Sequence, residues 1–165
     1  MAKKKDCIFL SYPQTDRGTA SHIAEVLRGK GFEVDLNDRK LNLQMDGFPE
    51  LKKAIRRSKF MVILVSPDFL TSQWCNFEAG VAIGESLEHP EKHVLTVLLR
   101  GVKRSEVPAL LRPSRALDAT EMTADELADR LGEIIAAVQA PSGRSGAGKA
   151  GPSATVTDGA KKVGA

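Results

Sequence analysis

Short apolar runs alternate with amphipathic segments along most of the chain, and this alternation predicts strands that alternate with helices. Phe60–Val65 is an uninterrupted apolar run that is too short for a helix and rich in β-forming residues. It predicts a strand buried on both faces. Shorter or similar runs predict further strands at Cys7–Ser11, 32–36, 93–99 and 115–117. Helical spacing of apolar residues predicts helices at 16–28, 49–58, 73–87 and 123–138, the last opening with a capping box.

Strands separated by helices favour a parallel sheet with right-handed crossovers. We therefore predict an α/β fold, a flavodoxin-like three-layer sandwich with helices on both faces of a five-stranded parallel sheet in the order 2-1-3-4-5. In that order, the carboxyl ends of strands one and three border the crevice where such folds bind ligands. The segment 101–113 is predicted to be a loop.

The two ends of the chain lack apolar periodicity. Residues 1–5 are basic and 141–165 are mainly Gly, Ala, Ser, Pro, Thr and Lys, so both are predicted to be disordered around one domain at 6–140. The tail matches GxxxxGK at 143–149. A phosphate-binding loop of this kind follows a strand, opens a helix and continues with Ser or Thr, whereas Ala150 takes that position here. We therefore reject the motif.

Composition and charge exclude several classes of protein. The formal charge of +3 over 165 residues is too small to indicate a nucleic-acid partner. No apolar run approaches the length of a membrane span, so we expect no membrane association. Cys7 and Cys75 lack CxxC spacing and the histidines are scattered, so we expect no metal site. Two such cysteines do not suggest a disulfide framework, so we expect a reducing, cytoplasmic location.

The segment after the central strand carries the strongest candidate chemistry. Ser66 and Pro67 end the strand, and a helix is predicted from about Gln73. Trp74 and Glu78 are four residues apart on this helix and therefore share a face. Taken singly, such a Trp usually packs in a core and such a Glu usually serves the helix dipole. Together they predict an indole and a carboxylate at the ligand crevice.

Residues 6–138 resemble a Toll/interleukin-1 receptor (TIR) domain, of the NAD-cleaving, stand-alone kind found in prokaryotes. The matching features are Ser11-Tyr12 ending the first strand, the segment 31–35, Asp46-Gly47 in the loop after the second strand, Ser66-Pro67, and Trp74-Cys75 with Glu78. Each feature is weak alone, but their order and spacing are fairly specific. The resemblance covers nearly the whole predicted domain.

The resemblance implies roles for the crevice residues. Some TIR domains only assemble with one another, whereas others are NAD glycohydrolases or cyclases in which the residue matching Glu78 is catalytic. The resemblance further implies a set of substrate-binding residues, namely Ser11, Tyr12, Pro13, Gln14, Gly47 and Trp74. Enzymatic members often carry basic residues where this chain has Pro13 and Gln14, so phosphate contacts would come from elsewhere, with Arg39 and Lys40 as candidates.

Cleavage of the ribose–nicotinamide bond of NAD+ requires only one carboxylate. The bond breaks through an oxocarbenium-like transition state, as in glycoside hydrolysis. Nicotinamide leaves as a neutral molecule because the pyridinium already carries the positive charge. Glu78 would hold the ribose hydroxyls and stabilise the cation, while Trp74 would stack on a flat ring. NAD+ is thus a substrate and no cofactor is expected, and the sequence leaves both ADP-ribose and a cyclic product open.

Two other functional classes fit parts of the pattern. A phosphoacceptor receiver domain shares the sheet order but needs an acidic pair after strand one and a lysine after strand five. Here those positions hold Ser11-Tyr12 and Asp118, so we reject that class. A non-catalytic TIR adaptor that signals by TIR–TIR association stays an alternative, because Glu78 also suits the helix dipole.

The segment 38–49 before the second predicted helix is long for a strand–helix connection. It carries large apolar side chains that solvent-facing loops seldom have, namely Leu41, Leu43, Met45 and Phe48. These side chains either cover the chain's own core or contact another molecule. The family resemblance favours self-association with other TIR domains in immune or defence signalling, with a separate sensor or effector protein as a further partner.

Overall fold

A computed structural model describes residues 6–36 and 48–140. This part of the chain forms one parallel sheet in the order β2-β1-β3-β4-β5. The strands are β1 (Cys7–Ser11), β2 (Glu33–Leu36), β3 (Phe60–Val65), β4 (His93–Leu98) and β5 (Arg115–Asp118). The predicted flavodoxin-like order is therefore confirmed. The predictions for residues 1–5, for most of the segment 37–49 and for the tail 141–165 lie outside the described residues.

Helices cover both faces of the sheet. The described part contains α1 (Arg17–Gly29), α2 (Phe48–Arg57), α3 (Pro67–Thr71), α4 (Gln73–Glu88) and α5 (Ala124–Gln139). Short 3-10 helices lie at Gln14–Asp16, Arg104–Glu106 and Ala109–Leu111. The long helices begin and end within one or two residues of their predicted bounds. The pattern did not predict α3 or the 3-10 helices, two of which lie in the segment expected to be a loop.

The sheet separates two core layers because side chains alternate along β3. Phe60, Val62 and Leu64 pack with α1 and α5. The residues that alternate with them pack with α2, α3 and α4. Every side chain of β3 is fully buried, as a central strand covered on both faces requires. The three-layer arrangement is therefore confirmed.

Basic residues hold the carboxyl end of α2. Arg57 pairs with Asp35 of β2, and Arg56 Nε lies 3.1 Å from Glu85 Oε1 of α4. The Lys92 ammonium, just before β4, donates to three carbonyl oxygens in and just after the last turn of α2. Carbonyls at this position have no partner within a helix, so Lys92 supplies the missing donor. The end of α2 is thus fixed to β2, α4 and β4.

Two turns beside the sheet require glycine. Gly31 ends α1 with φ at 95°, and the Phe32 amide donates back to the Leu27 carbonyl at 3.1 Å. Gly101 follows β4 with φ at 89°, and a Cβ at this position would lie 3.2 Å from Pro67 Cγ.

Among the helices of residues 6–36 and 48–140, none combines the length and apolar character that crossing a membrane requires.

Candidate active site

The carboxyl ends of β1 and β3 lie side by side, with Ser11 in register with Ile63. After β1 the chain turns to α1 on one face of the sheet, and after β3 it turns to α3 and α4 on the other face. A crevice forms where neighbouring strands continue to opposite faces. The segments 11–16 and 66–78 both border this crevice.

Two consecutive caps fix the start of α4. Ser66 caps α3 by accepting from the Phe69 amide at 3.2 Å, and Ser72 caps α4 by accepting from the Cys75 amide at 3.2 Å. The Asn76 side chain donates to the carbonyls of Ser72 and Phe69, at 2.8 and 3.2 Å, and so ties the two helices together. The sequence pattern misses α3 because five residues are too few for a helical period, although a Ser-Pro pair is a helix-start signal.

Glu78 lies at the point where these elements converge, and it is 1% exposed. The Ser11 hydroxyl donates to its Oε2 at 2.7 Å. The indole N–H of Trp74, one turn earlier on α4, donates to its Oε1. The predicted sharing of a helix face by Trp74 and Glu78 is confirmed. Because both oxygens accept hydrogen bonds in a buried setting, the carboxylate is held in one orientation.

Trp74 is half-buried and connects the core to the surface. It packs against the core layer formed by α2, α3 and α4. Its ring centroid lies 5.5 Å from that of Phe77, whose centroid lies 5.6 Å from that of Phe48 at the start of α2. The sequence analysis identified Phe48 as an unusual apolar side chain but missed Phe77 and the contact between them, because helical spacing alone does not show that two separate helices bring these rings together.

The other predicted substrate-binding residues lie in different settings. Tyr12 and Pro13 are buried where β1 ends, and Gln14 is exposed at the start of the first 3-10 helix. Outside the described residues lie Gly47, Arg39 and Lys40. The structure therefore places Ser11, Tyr12 and Pro13 at the crevice edge of β1, and it brings Ser11 into direct contact with Glu78.

A second carboxylate, Asp16, ends the 3-10 helix after β1, and the sequence analysis did not identify it. Burial raises the pKa of Asp16, the Ser66 hydroxyl opposes that rise, and nearby Asp68 adds to it. The Asp16 Oδ2 atom is buried without a hydrogen-bond partner.

Burial also raises the pKa of the Cys75 thiol to about 11, with Glu78 adding to the rise. Cys75 is therefore a packed, protonated thiol rather than a nucleophile.

The described part contains cavities that lie away from Glu78. One of about 450 Å³ is lined by residues of α4, β4 and β5 that include His93 and Arg115. Another, of about 620 Å³, lies beside α5 and Asp118. Converging donors around a carboxylate identify the candidate active site better than cavity size does.

Within residues 6–36 and 48–140, no three His, Cys, Asp or Glu side chains are grouped as a metal ion needs.

The fold and the site define an α/β domain with a flavodoxin-like sheet, in which an oriented carboxylate and an indole lie at the switch point of the strands. The chain matches the TIR domain family over residues 8–135, and it belongs to that family. The resemblance to a TIR domain is therefore confirmed.

Relatives of the chain are found in animals and plants. It is 29% identical over 111 residues to the stimulator of interferon genes protein of Magallana gigas, a match that covers 67% of this chain and 27% of that protein. It is 36% identical over 70 residues to TMV resistance protein N of Nicotiana glutinosa, covering 41% of this chain and 6% of that protein. The matched part of this chain thus spans less than a third of either relative.

Solved structures show the same architecture. The metazoan TIR-STING receptor from C. gigas in complex with 2',3'-cGAMP superimposes with a TM-score of 0.62 at 29% identity, covering 81% of this chain and 39% of that chain. The RPS4 and RRS1 TIR domain heterodimer gives a TM-score of 0.64 at 17% identity, covering 82% of this chain and 98% of that chain. At that lower identity the second likeness concerns the fold alone.

Proposed function

We propose that this TIR domain cleaves NAD+ between ribose and nicotinamide, with Glu78 as the catalytic carboxylate. The supporting observation is the buried Glu78 side chain, which Ser11 of β1 and Trp74 of α4 both hydrogen-bond at the crevice. Donors from two elements fix the orientation of the Glu78 carboxylate, and a negative charge that is held in place in this way stabilises a cation that develops beside it. A glutamate that served only the helix dipole would need neither burial nor a partner from the sheet.

The proposed reaction breaks the bond between ribose C1′ and the pyridinium nitrogen. The electron pair of that bond goes to the nitrogen, so nicotinamide leaves neutral and needs no proton. The ribose becomes an oxocarbenium-like cation that the Glu78 carboxylate stabilises. Water then adds to C1′ and loses a proton, which gives ADP-ribose. If a nucleophilic atom of the same molecule adds instead, the product is cyclic.

Substrate reaches Glu78 only if a covering side chain moves, because the residue is 1% exposed. Ser11 is equally buried at the end of β1, whereas Trp74 is half-buried in the first turn of α4. We therefore assign the movement to Trp74. Rotation of its side chain releases the Glu78 Oε1 atom for a ribose hydroxyl and leaves the indole beside the pyridinium, where stacking and cation–π attraction both favour it.

We place this activity in immune or defence signalling, because relatives of this domain are named for interferon genes and for resistance. The partners we propose are NAD+, other TIR domains and a separate sensor or effector protein. We also propose a cytoplasmic location, since Cys7 and Cys75 are free thiols and such thiols persist in a reducing compartment.

The test is nicotinamide release from NAD+ by the purified full-length chain, measured by chromatography at high protein concentration with a molecular crowder. Glu78→Gln keeps the side-chain size, and the Ser11 hydroxyl can accept from the new amide, so this variant should melt like the wild type. We expect it to lose roughly a hundredfold or more of the release rate. Glu88→Gln, at the exposed end of the same helix, should lose nothing.

No release by the wild-type chain would refute the proposed reaction. Equal release by Glu78→Gln would keep an enzyme but remove its proposed catalyst. In either case the circular dichroism of each variant has to match that of the wild type, so that a loss of activity is not a loss of fold.

A second candidate function is assembly without catalysis. It is favoured by the apolar side chains of the segment 38–49, which are suited to a contact with another molecule, and by membership of a family in which some domains only assemble with one another. In that case the wild-type chain would self-associate in light scattering without releasing nicotinamide. Glu78→Gln would then leave the association unchanged.

A further inference from the structure

Three aromatic rings run from the surface of α2 towards Glu78. Phe48 opens α2 and is 40% exposed, and Phe77 lies on α4 and is 45% exposed. Their ring centroids are 5.6 Å apart with the planes tilted by 52°. Phe77 also lies 5.5 Å from Trp74, with a tilt of 42°. These are the separations and tilted geometries that aromatic pairs prefer.

The two phenylalanines differ from Trp74 in how they are packed. Trp74 is half-buried against the core layer of α2, α3 and α4, whereas Phe48 and Phe77 keep much of their surface in solvent. A single exposed apolar side chain is common in proteins. Two such rings in contact, continuous with a third that hydrogen-bonds a candidate catalytic group, form an apolar surface suited to a ligand of that site.

We propose that Phe48 and Phe77 form an aromatic ledge that stacks against the second base of the dinucleotide, the base that is not released. This inference rests on the proposed function. If Glu78 faces the ribose of the bond that breaks, the departing ring lies beside Trp74, whose indole contacts the carboxylate. Phe77 is the next ring in contact with Trp74, with the two centroids 5.5 Å apart, and Phe48 follows it, so we assign the ledge to the other end of the substrate.

Stacking is the interaction that this ledge offers. Phenylalanine rings carry no hydrogen-bond donor or acceptor, so they cannot read the polar edge of a base. A flat heteroaromatic base nevertheless binds aromatic faces well, because every base has a π-surface. The ledge would therefore increase affinity for a substrate with a second base while contributing nothing to the bond-breaking step itself.

A comparison of two substrates separates the ledge from the chemistry. NAD+ carries both rings, whereas nicotinamide mononucleotide carries only the ring that is released. Phe77→Ala is expected to lower the ratio of kcat/KM for NAD+ to that for the mononucleotide about tenfold, which is the effect of losing one stacked base. Phe77→Tyr keeps an aromatic face and should restore the ratio. Leu87→Ala removes a 79% exposed apolar side chain from the far end of α4 and should not change it.

Two outcomes would overturn the ledge while the wild-type enzyme remains active. An unchanged ratio in Phe77→Ala, with both substrates impaired equally, would make Phe77 a support for Trp74. An unchanged ratio combined with weaker self-association in light scattering would assign the surface to a protein contact.

A binding measurement distinguishes failure of the ledge from failure of the proposed function. If the wild-type chain releases nicotinamide from neither substrate, the reaction is refuted and AMP becomes the probe of the ledge. Trp74 is the only tryptophan of the chain, so AMP stacked on Phe77 should change its fluorescence. The change should be lost in Phe77→Leu and kept in Leu87→Ala. No change in the wild type at saturating AMP would overturn the ledge.

Discussion

Ser11 and Glu78 are 67 residues apart in the sequence, and the hydroxyl of the first donates to the carboxylate of the second at 2.7 Å. This bond crosses the crevice and joins the end of β1 to α4. Because Ser11 is 1% exposed, its hydroxyl is better placed to orient Glu78 than to meet solvent. We therefore propose a positioning role for Ser11.

Replacing Ser11 by Ala should lower kcat for nicotinamide release more than it changes KM. A hydrogen bond to a charged group is worth roughly 1.5–3 kcal/mol, so we expect kcat to fall about tenfold or more. Steady-state kinetics with NAD+ provide the measurement. Ser86→Ala is a suitable control, since the Ser86 hydroxyl donates within α4, to the Ile83 carbonyl at 2.7 Å. An unchanged kcat in Ser11→Ala would remove the positioning role.

Asp16→Asn should stabilise the protein at neutral pH. Burial raises the pKa of Asp16, so the folded state holds this proton more tightly than the unfolded chain. As the pH rises above the ordinary value of 3.8, the unfolded chain ionises first, and folding stability falls. Removing the charge should therefore raise the Tm at pH 7, by about a few degrees, and the gain should shrink towards acidic pH.

Thermal melts at several pH values test this prediction. Glu121→Gln, an exposed carboxylate after β5, should give no comparable gain. A lower Tm for Asp16→Asn than for the wild type at pH 7 would mean that the ionised Asp16 stabilises the fold, contrary to the inferred sign.

Gly101→Ala should destabilise the protein. The residue has φ at 89°, and an added Cβ would lie 3.2 Å from Pro67 Cγ. Left-handed backbone costs a non-glycine residue roughly 1–2 kcal/mol, so the Tm should fall by about 3–6 °C. Gly84→Ala is the matched control, because its Cβ would enter open space on helix α4. It should stabilise the helix by roughly 0.5–1 kcal/mol. Equal effects of the two substitutions in thermal melts would contradict this account.

Activity should depend on self-association. The segment 38–49 carries large apolar side chains that are suited to a contact with another copy of the chain. If this segment contacts a different surface of the next copy, the copies build an open assembly. Specific activity should therefore rise with protein concentration. Gly47→Pro, which stiffens this segment and removes a donor, should reduce both activity and assembly. Constant specific activity over a hundredfold dilution of a protein that stays monomeric in light scattering would contradict the prediction.

The sequence pattern was sufficient for the sheet and for one local part of the site. The β3 run and the alternation of strands with helices predict the sheet order, because parallel connections permit few topologies. The contact between Trp74 and Glu78 follows from four-residue spacing on one helix. The first inference relies on the order of the segments along the chain, and the second relies on spacing within one helix.

The remaining parts of the site depend on how separate elements pack. The bond from Ser11 to Glu78 requires α4 to lie across the end of β1, and the contact of Phe48 with Phe77 requires α2 to lie beside α4. The burial of Asp16 likewise results from the turn after β1 meeting the start of α3. No spacing rule along the chain encodes these approaches, since each is set by side-chain packing between distant segments.

The attachment of α2 at one end determines how it can move. Arg56, Arg57 and Lys92 hold its carboxyl end to α4, β2 and β4. A force applied near Phe48, at the amino end, would therefore turn α2 about a pivot rather than slide it along the sheet. The ten residues of the helix form a lever arm roughly 15 Å long. A neighbouring molecule that presses on this end would shift Phe48 relative to Trp74, and it would have to work against the packing of Leu51, Ala54 and Ile55 in the core layer.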